Sequence, residues 1–333
     1  MRTRRAITVL AGLVLTVAVA TACGEAGQSG TEAPDPAAEG QGCAPVAGQQ
    51  LVLLDDDQRL QLAENIVAAV NQDAATPELV AALDAVSAAL DMPSLVALKR
   101  AVDIDRQTAP EAAAEFATSS GLAEGIGGGG SGSIVIGTAD FSESQIIAEL
   151  YQIALTEAGF EATVQTVGNR ELYESSLERG ELHVMPEYLG TMTEFLNAKV
   201  NGADPEQLAS NDPAATLTEL RALGEQVGLV FGEPAGAATQ NAFAVTQEFA
   251  TQYEVRTLSE LAAACSGADT ILGGPPECPQ RPFCQLGLEE VYGLSFGPFS
   301  SLDAGGPLTK EALRTGQISV GLVFSSDVDV TAA

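Results

Sequence analysis

Ile134-Val-Ile-Gly-Thr-Ala-Asp-Phe-Ser-Glu-Ser-Gln-Ile-Ile-Ala-Glu-Leu-Tyr151 holds, in order, a short β-branched run, a polar corner and an amphipathic helix. Ile134–Ile136 reads as a buried strand. Ser142 with Glu143 opens a helix whose Ile146, Ile147, Leu150, Tyr151 and Ala154 share one face, and Gly159 closes it. The same grammar repeats downstream. Ala162–Val167 reads as a strand, Asn169 caps a helix ending at Gly180, and Leu182–Met185 is a strand stopped by Pro186. Asp212-Pro213 starts a helix through Leu217, Leu220 and Leu223. Asn241–Val245 is a strand, and Thr257-Leu-Ser-Glu260 is a capping box. Thr270–Leu272 is a strand, Gly287–Tyr292 and Leu308–Arg314 are helices, and Ile318–Phe324 is a last strand. Strands alternating with helices predict α/β architecture with a largely parallel sheet.

Upstream of this block the pattern is different. Leu51–Leu54 reads as a strand followed by the acidic turn Asp55–Asp57. Thr76-Pro77-Glu78 starts a helix with Leu79, Leu83, Val86 and Leu90 on one face, and Thr108-Ala-Pro110-Glu111 starts another running to Phe116. No second strand is read in this segment. Gly125–Ser133 is a flexible linker by composition.

The N-terminus carries a different signal. Arg2, Arg4 and Arg5 precede the apolar run Ala6–Ala20 and then Thr21-Ala22-Cys23, which reads as a secretory signal over 1–22. Cys23 after small residues resembles a bacterial lipobox, so Cys23 is the expected lipidation site and the cell membrane's extracytoplasmic face the expected location. Gly24–Gly42 has no large apolar residue to offset its ordering entropy, which makes 23–43 a disordered tether. The remaining ~290 residues exceed a single core and imply two lobes.

Forty-five acidic against 15 basic residues, a formal charge of −30, exclude a phosphate-backbone partner. Beyond Cys23 four cysteines remain, an even number in an oxidising compartment. Pro279 and Pro282 stiffen the loop between Cys278 and Cys284 and favour a local bridge there, leaving Cys43 to pair with Cys265. The one histidine, His183, falls in a predicted strand, and no metal site or cofactor is expected. The glycine run at 127–130 lacks the Lys-Ser/Thr of a phosphate loop, and Ser131 lacks a nucleophile elbow. Nucleophilic catalysis has no raw material here, so the chain reads as a binder, not an enzyme.

In α/β sheets ligands gather beyond the carboxyl ends of strands. Three such ends are polar and aromatic: Asp140-Phe-Ser-Glu143, Gly168-Asn-Arg-Glu171 and Pro186-Glu-Tyr-Leu-Gly-Thr191. Plain helix capping by Ser142 and Asn169 accounts for part of that polarity.

These motifs, with Asn241-Ala-Phe-Ala-Val245 and Phe324-Ser-Ser-Asp327, resemble in order the substrate-binding proteins of osmoprotectant (glycine betaine/choline/carnitine) ABC importers, over nearly all of residues 44–330. The resemblance implies a periplasmic-binding-protein-like type II fold, two α/β lobes joined by a two-strand hinge. It implies a monomer that closes on a small solute and delivers it to membrane permease subunits. Such binders hold a quaternary ammonium among aromatic faces. Tyr188 matches the tyrosine of the family's Pro-Glu-Tyr motif, and Phe141 and Phe324 offer further faces. Asp140, Ser142, Asn169, Thr191, Asn241, Ser325 and Asn65 complete the expected binding set. Arg170 is the expected partner for a ligand carboxylate, with an ion pair to Glu174 as the plain alternative. Asn241 and Glu64 stand where the family often has tyrosine, and Ala139 where it often has a basic or amide residue. This thinner cage leaves a polar, amino-acid-like solute as the alternative ligand, and a sensor or scaffold lipoprotein as the alternative role.

The order of the motifs carries a further expectation. Leu51-Val-Leu-Leu-Asp-Asp-Asp57, Ala63-Glu-Asn-Ile-Val67 and the helices to Phe116 resemble the family's closing third, which in typical members follows the Phe-Ser-Thr-Asp crossover. The chain is therefore read as a circular permutant: 44–124 the closing part of lobe 1, 125–133 the join, 134–238 the opening part of lobe 1, and 239–330 lobe 2. An independent helical domain ahead of the binder is the alternative. Permutation places Leu51–Leu54 as a hinge strand and packs the helices of 77–120 on the 134–195 lobe.

Overall fold

The computed structural model describes residues 40–202, 205–327 and 329–332. The signal stretch, Cys23 and most of the tether lie outside the described residues. Two sheets organise the rest. The first has five strands in the order Glu161–Thr166, Ser133–Thr138, Val184–Tyr188, Ile66–Asn71, Leu229–Phe231. Its first three strands are parallel, and Ile66–Asn71 runs antiparallel to both of its neighbours. Both faces are covered. Ile66, Ala68 and Val70 enter one core with Leu79, Leu83, Ile136 and Ile146, while Val67 and Ala69 enter the other with Met185, Leu196 and Leu220.

That double burial explains the strand missing from the sequence reading. A strand with both faces in a core shows no polar alternation, and Ile-Val-Ala-Ala-Val-Asn carries no period to find. Pro186 does not stop its strand. The strand is Val184–Tyr188 and passes through the proline. Ala68, opposite Pro186, sends its carbonyl instead to the Gly232 amide at 3.1 Å, so the missing donor orphans no acceptor. His183 precedes this strand, where its Nδ1 accepts from the Val135 amide at 2.9 Å.

The second sheet has six strands in the order Val330–Ala332, Leu51–Leu54, Asn241–Thr246, Val320–Phe324, Leu272–Gly274, Ser300–Ser301. Val52, Leu54, Phe243, Val245 and Leu322 face one apolar cluster, and Leu51, Ala244 and Val323 face another. The chain passes between sheets twice, through 55–65 and 232–240. The passages grip each other: Asn65 and Ala238 form an isolated antiparallel bridge, the Asn65 side-chain amide donates to the Ala235 carbonyl at 2.9 Å, and the Thr239 amide donates to the Glu64 carbonyl at 3.0 Å. The two sheets with their helices are the two lobes of a type II binding-protein fold. Helices Pro77–Ala89, Met92–Asp103 and Ala109–Ser120 pack on Ser142–Glu157 in the first lobe. The segment 44–124 is nevertheless divided. Leu51–Leu54 pairs with Asn241–Thr246 in the second sheet, and only the part from Ile66 onward joins the first.

The glycine linker is partly docked. The Gly130 amide donates to the Ala158 carbonyl at 2.8 Å, and a Cβ at Gly130 would sit 2.3 Å from the Phe160 ring. Both expected bridges form, Cys43–Cys265 across 222 residues of sequence and Cys278–Cys284 across 6.

A cross-link stabilises largely by restricting the unfolded chain, and the restriction grows with loop length. Replacing Cys43 and Cys265 together by serine should therefore cost roughly 5 kcal/mol, and replacing Cys278 and Cys284 roughly 2 kcal/mol. Guanidinium unfolding of the two double variants checks the order; a larger loss from the local pair contradicts it.

Candidate functional site

Two strand ends of the first lobe and one of the second converge. Phe141 precedes the Ser142–Glu157 helix, Tyr188 ends the Val184–Tyr188 strand, and Phe324 ends Val320–Phe324 in the other lobe. The Phe141 ring centroid lies 6.4 Å from that of Tyr188 and 5.5 Å from that of Phe324. The three rings named from sequence thus form one cluster spanning both lobes.

Under the cluster lies Glu143, 1 % exposed. Its Oε1 accepts from the Tyr188 hydroxyl at 2.8 Å, and its Oε2 accepts from Thr239 Oγ1 at 3.0 Å and Ser326 Oγ at 2.9 Å. Lys99 Nζ stands 3.3 Å from the same oxygen. Lys99 also donates to Ser326 Oγ and Asp327 Oδ1, each at 2.7 Å, and stands 5.4 Å from the Phe324 ring centroid. Burial works against the Lys99 charge, but Glu143 and Asp327 outweigh it and hold its ammonium above the ordinary lysine value. The relay continues outward: Lys310 lies 3.2 Å from Asp327 and 2.6 Å from Asp329, which also meets Arg314 at 2.9 Å.

Arg170 has a different place from either expectation. Its Nε and Nη2 donate to the two oxygens of buried Glu187 at 2.9 and 2.5 Å, and Nη2 also reaches Thr191 Oγ1 at 3.1 Å. The Tyr173 hydroxyl donates to Glu187 as well, at 2.5 Å. Glu174 pairs with Lys199 at 2.7 Å, so the expected Arg170–Glu174 pair does not form. A buried guanidinium and a buried carboxylate each demand a partner, and here they satisfy one another.

Capping also departs from the sequence reading. Asn169 and Phe141 occupy the N-cap positions of their helices without a side-chain cap bond, and it is Ser144 Oγ that accepts from the Ala139 amide at 2.9 Å. Asn169 Oδ1 is buried without a partner among the described residues. Asp140 and Ser325 are exposed, and Asn65 belongs to the crossing. Asn241 faces Phe324 in register and donates to the Phe283 carbonyl at 3.0 Å. The Cys278–Cys284 loop carries Arg281, which meets Glu171 of the first lobe at 2.8 Å.

Lys99, Thr239, Glu143, Ser326 and Asp327 lie outside the binding set expected from the sequence, the last three within its quoted motifs. Lys99 had a signal: Leu95, Leu98 and Lys99 share the buried face of Met92–Asp103, and a lysine on that face demands buried anions.

A family model described as the substrate-binding domain of ABC-type glycine betaine transport systems matches residues 44–119 and 132–332. The chain is similar to the glycine-betaine-binding protein of Pseudomonas aeruginosa, 28 % identical over 201 residues, covering 58 % of this chain and 61 % of that one. It thus spans about three fifths of that relative's length. Among solved structures it is similar to an agropinic-acid-bound binding protein, AgaA, of A. tumefaciens (12 % identity, 60 % of this chain and 48 % of that one, TM-score 0.29). The murein tripeptide binding protein MppA of Escherichia coli also matches (12 % identity, 55 % and 44 %, TM-score 0.24). At such TM-scores these two likenesses carry no weight for fold or ligand.

Glu64 generates a test of the site's electrostatics. It is 2 % exposed, and its carboxyl accepts from the Thr191 amide at 2.8 Å and the Gly190 amide at 3.2 Å. Burial pushes it up to about 8, against those amides and Arg170. The folded protein then keeps a proton that the unfolded chain has released, so this group's contribution to stability falls as pH rises from 4.5 to about 8. Thermal melts at about pH 5 and about pH 8 should show the wild type losing ground to Glu64→Gln across that window. Parallel profiles would contradict the assignment.

Proposed function

Because the chain belongs to the family of substrate-binding domains of ABC-type glycine betaine transport systems, we propose that it is the solute receptor of an ABC importer. In this reading it is a lipoprotein anchored through Cys23 on the extracytoplasmic face. It closes its two lobes on a small quaternary-ammonium or related compatible solute and presents it to a membrane permease. The observation that carries the reading is the cluster of Phe141, Tyr188 and Phe324, drawn from strand ends of both lobes. Aromatic faces attract alkylammonium groups, each contact contributing about 0.5–2 kcal/mol, and a site shared by two lobes couples binding to closure. Its chemistry is recognition: the charged groups of the cluster are paired with one another, which suits holding a solute and not turning it over. Asn241, donating into the second-lobe loop beside Phe324, would supply a polar contact from that side.

The same reading includes circular permutation. The glycine run falls between the two matched blocks, 44–119 and 132–332. A chain re-permuted by opening the 125–131 loop and joining residues beyond Val330 to those before Cys43 should fold and bind as the parent does. A re-permuted chain that stays unfolded would count against this part of the proposal.

Titration calorimetry against a panel of compatible solutes tests the transport reading; a protein that binds none of them loses it. With the solute so found, Tyr188→Ala should lose well over about 1 kcal/mol of affinity. Tyr188→Phe keeps the ring but removes a donor from Glu143, so it should cost folding stability more than affinity. Equal affinity of wild type and Tyr188→Ala would remove Tyr188 from the site.

A further inference from the structure

The first described residues are fastened to one end of the second lobe. Gln41 and Gly267 form an isolated antiparallel bridge, the Ala268 and Asp269 amides donate to the Gly40 and Gln41 carbonyls at 3.2 and 2.7 Å, and the Cys43–Cys265 bridge closes the join. The two backbones touch: a Cβ at Gly42 would sit 2.7 Å from the Gly267 carbonyl oxygen, and one at Gly267 2.3 Å from the Gly42 nitrogen. The Cys43 amide donates to Thr270 Oγ1 at 2.7 Å, and its carbonyl accepts from Ser319 Oγ at 3.0 Å. Thr270 and Ser319 lie just ahead of the parallel strands Leu272–Gly274 and Val320–Phe324, so the join sits where those strands start and the rings sit where the second of them ends. We infer that this end of the second lobe is the face that the free receptor turns to the lipid bilayer, with the ring cluster directed away from it. The inference rests on the reading of the protein as a lipoprotein anchored through Cys23.

Two observations carry it. The first is where the anchored chain arrives. Residues 24–39 separate Cys23 from Gly40, a stretch that spans at most about 60 Å. Any pull from the anchor reaches the folded part at Gly40, and the backbone bonds and the disulfide pass it to this end of the second lobe. The second is charge. The segments that build this end, 40–50, 263–270, 293–299 and 315–319, hold one charged side chain, Asp269, in a chain with 45 acids and 15 bases. Ala44, Ala268 and Pro298 are exposed on it. Glu248 beside Gly48, and Arg314, whose Nε donates to the Gln49 carbonyl at 3.4 Å, mark its edge. The first lobe instead presents Glu111, Glu115, Glu124 and Glu157 to solvent. Anionic lipid repels an acidic face within the screening length, ~10 Å at 0.1 M salt, and leaves an uncharged face unopposed.

Energy transfer from a dye on the protein to acceptor dyes on lipid headgroups reads the orientation. The lipid-bearing protein is placed at dilute coverage in vesicles of equal parts phosphatidylcholine and phosphatidylglycerol, with the donor clicked to an azide-bearing residue at exposed Pro298 or at exposed Thr118 of the first lobe. Transfer from Pro298 should exceed that from Thr118 about twofold or more, since at least a lobe's width separates them. Ala44→Glu with Ala268→Glu should weaken transfer from Pro298 on these vesicles and leave it unchanged on phosphatidylcholine alone. Equal transfer from the two positions overturns the inference, as does a doubly acidic variant that behaves alike on both vesicles. Transfer between Pro298 dyes of neighbouring proteins would show a second copy on this face and overturns the lipid assignment. If mass spectrometry finds no acyl group on Cys23, the lipoprotein reading falls instead, and the inference is decided by the same measurement with the Cys23 thiol coupled to a maleimide lipid.

Discussion

Glu143 must be charged, buried and satisfied at once, and that constraint organises the site. A carboxylate with 1 % exposure is tolerable only when donors replace its lost water. Its partners come from four places in the chain: the Lys99 ammonium on a first-lobe helix, and the hydroxyls of Tyr188 at a first-lobe strand end, Thr239 on the passage between lobes, and Ser326 just beyond a second-lobe strand. Removing any of these elements takes a partner from a buried carboxylate. One side chain therefore sets the relative position of both lobes, the passage and the aromatic cluster.

Tyr188 shows how this reaches the rings. Its hydroxyl is fixed by Glu143, and its own backbone starts the Leu189–Asn201 helix, whose first turn is held by Glu64 through the Gly190 and Thr191 amides. Glu187, one residue earlier, is clamped by Arg170 and Tyr173. The ring is thus pre-set by bonds on both sides of the chain, and little side-chain ordering remains for a solute to bring about. At the far edge, Arg281 reaches Glu171 across the lobes from a loop closed by the Cys278–Cys284 bridge. That pair is half in solvent and contributes far less than the Glu143 cluster.

The alternation of strand and helix from Ile134 to Tyr188 was legible because each helix there follows a polar corner and each strand is short and β-branched. The three rings were legible because ligands gather at strand ends. Two kinds of feature were not. Ile66–Asn71 is buried on both faces, so its pattern is indistinguishable from a piece of buried helix. The partners of Glu143 were hidden because they lie far apart in sequence, 44 to 183 residues from it. An arginine at a helix start suits a ligand carboxylate, but for Arg170 the Glu187 side chain supplies that carboxylate from within the protein. Local patterns report capping and burial; they do not report which long-range charge meets which.

In the proposed receptor one solute is held by the ring cluster with both lobes around it. A crystal structure of the protein with its tightest-binding panel solute tests it directly. The solute should lie against Tyr188 and Phe141 from the first lobe and in contact with Asn241 or the 281–285 loop of the second, with Lys99 still bonded to Asp327. A solute bound to one lobe alone, away from these rings, would contradict it.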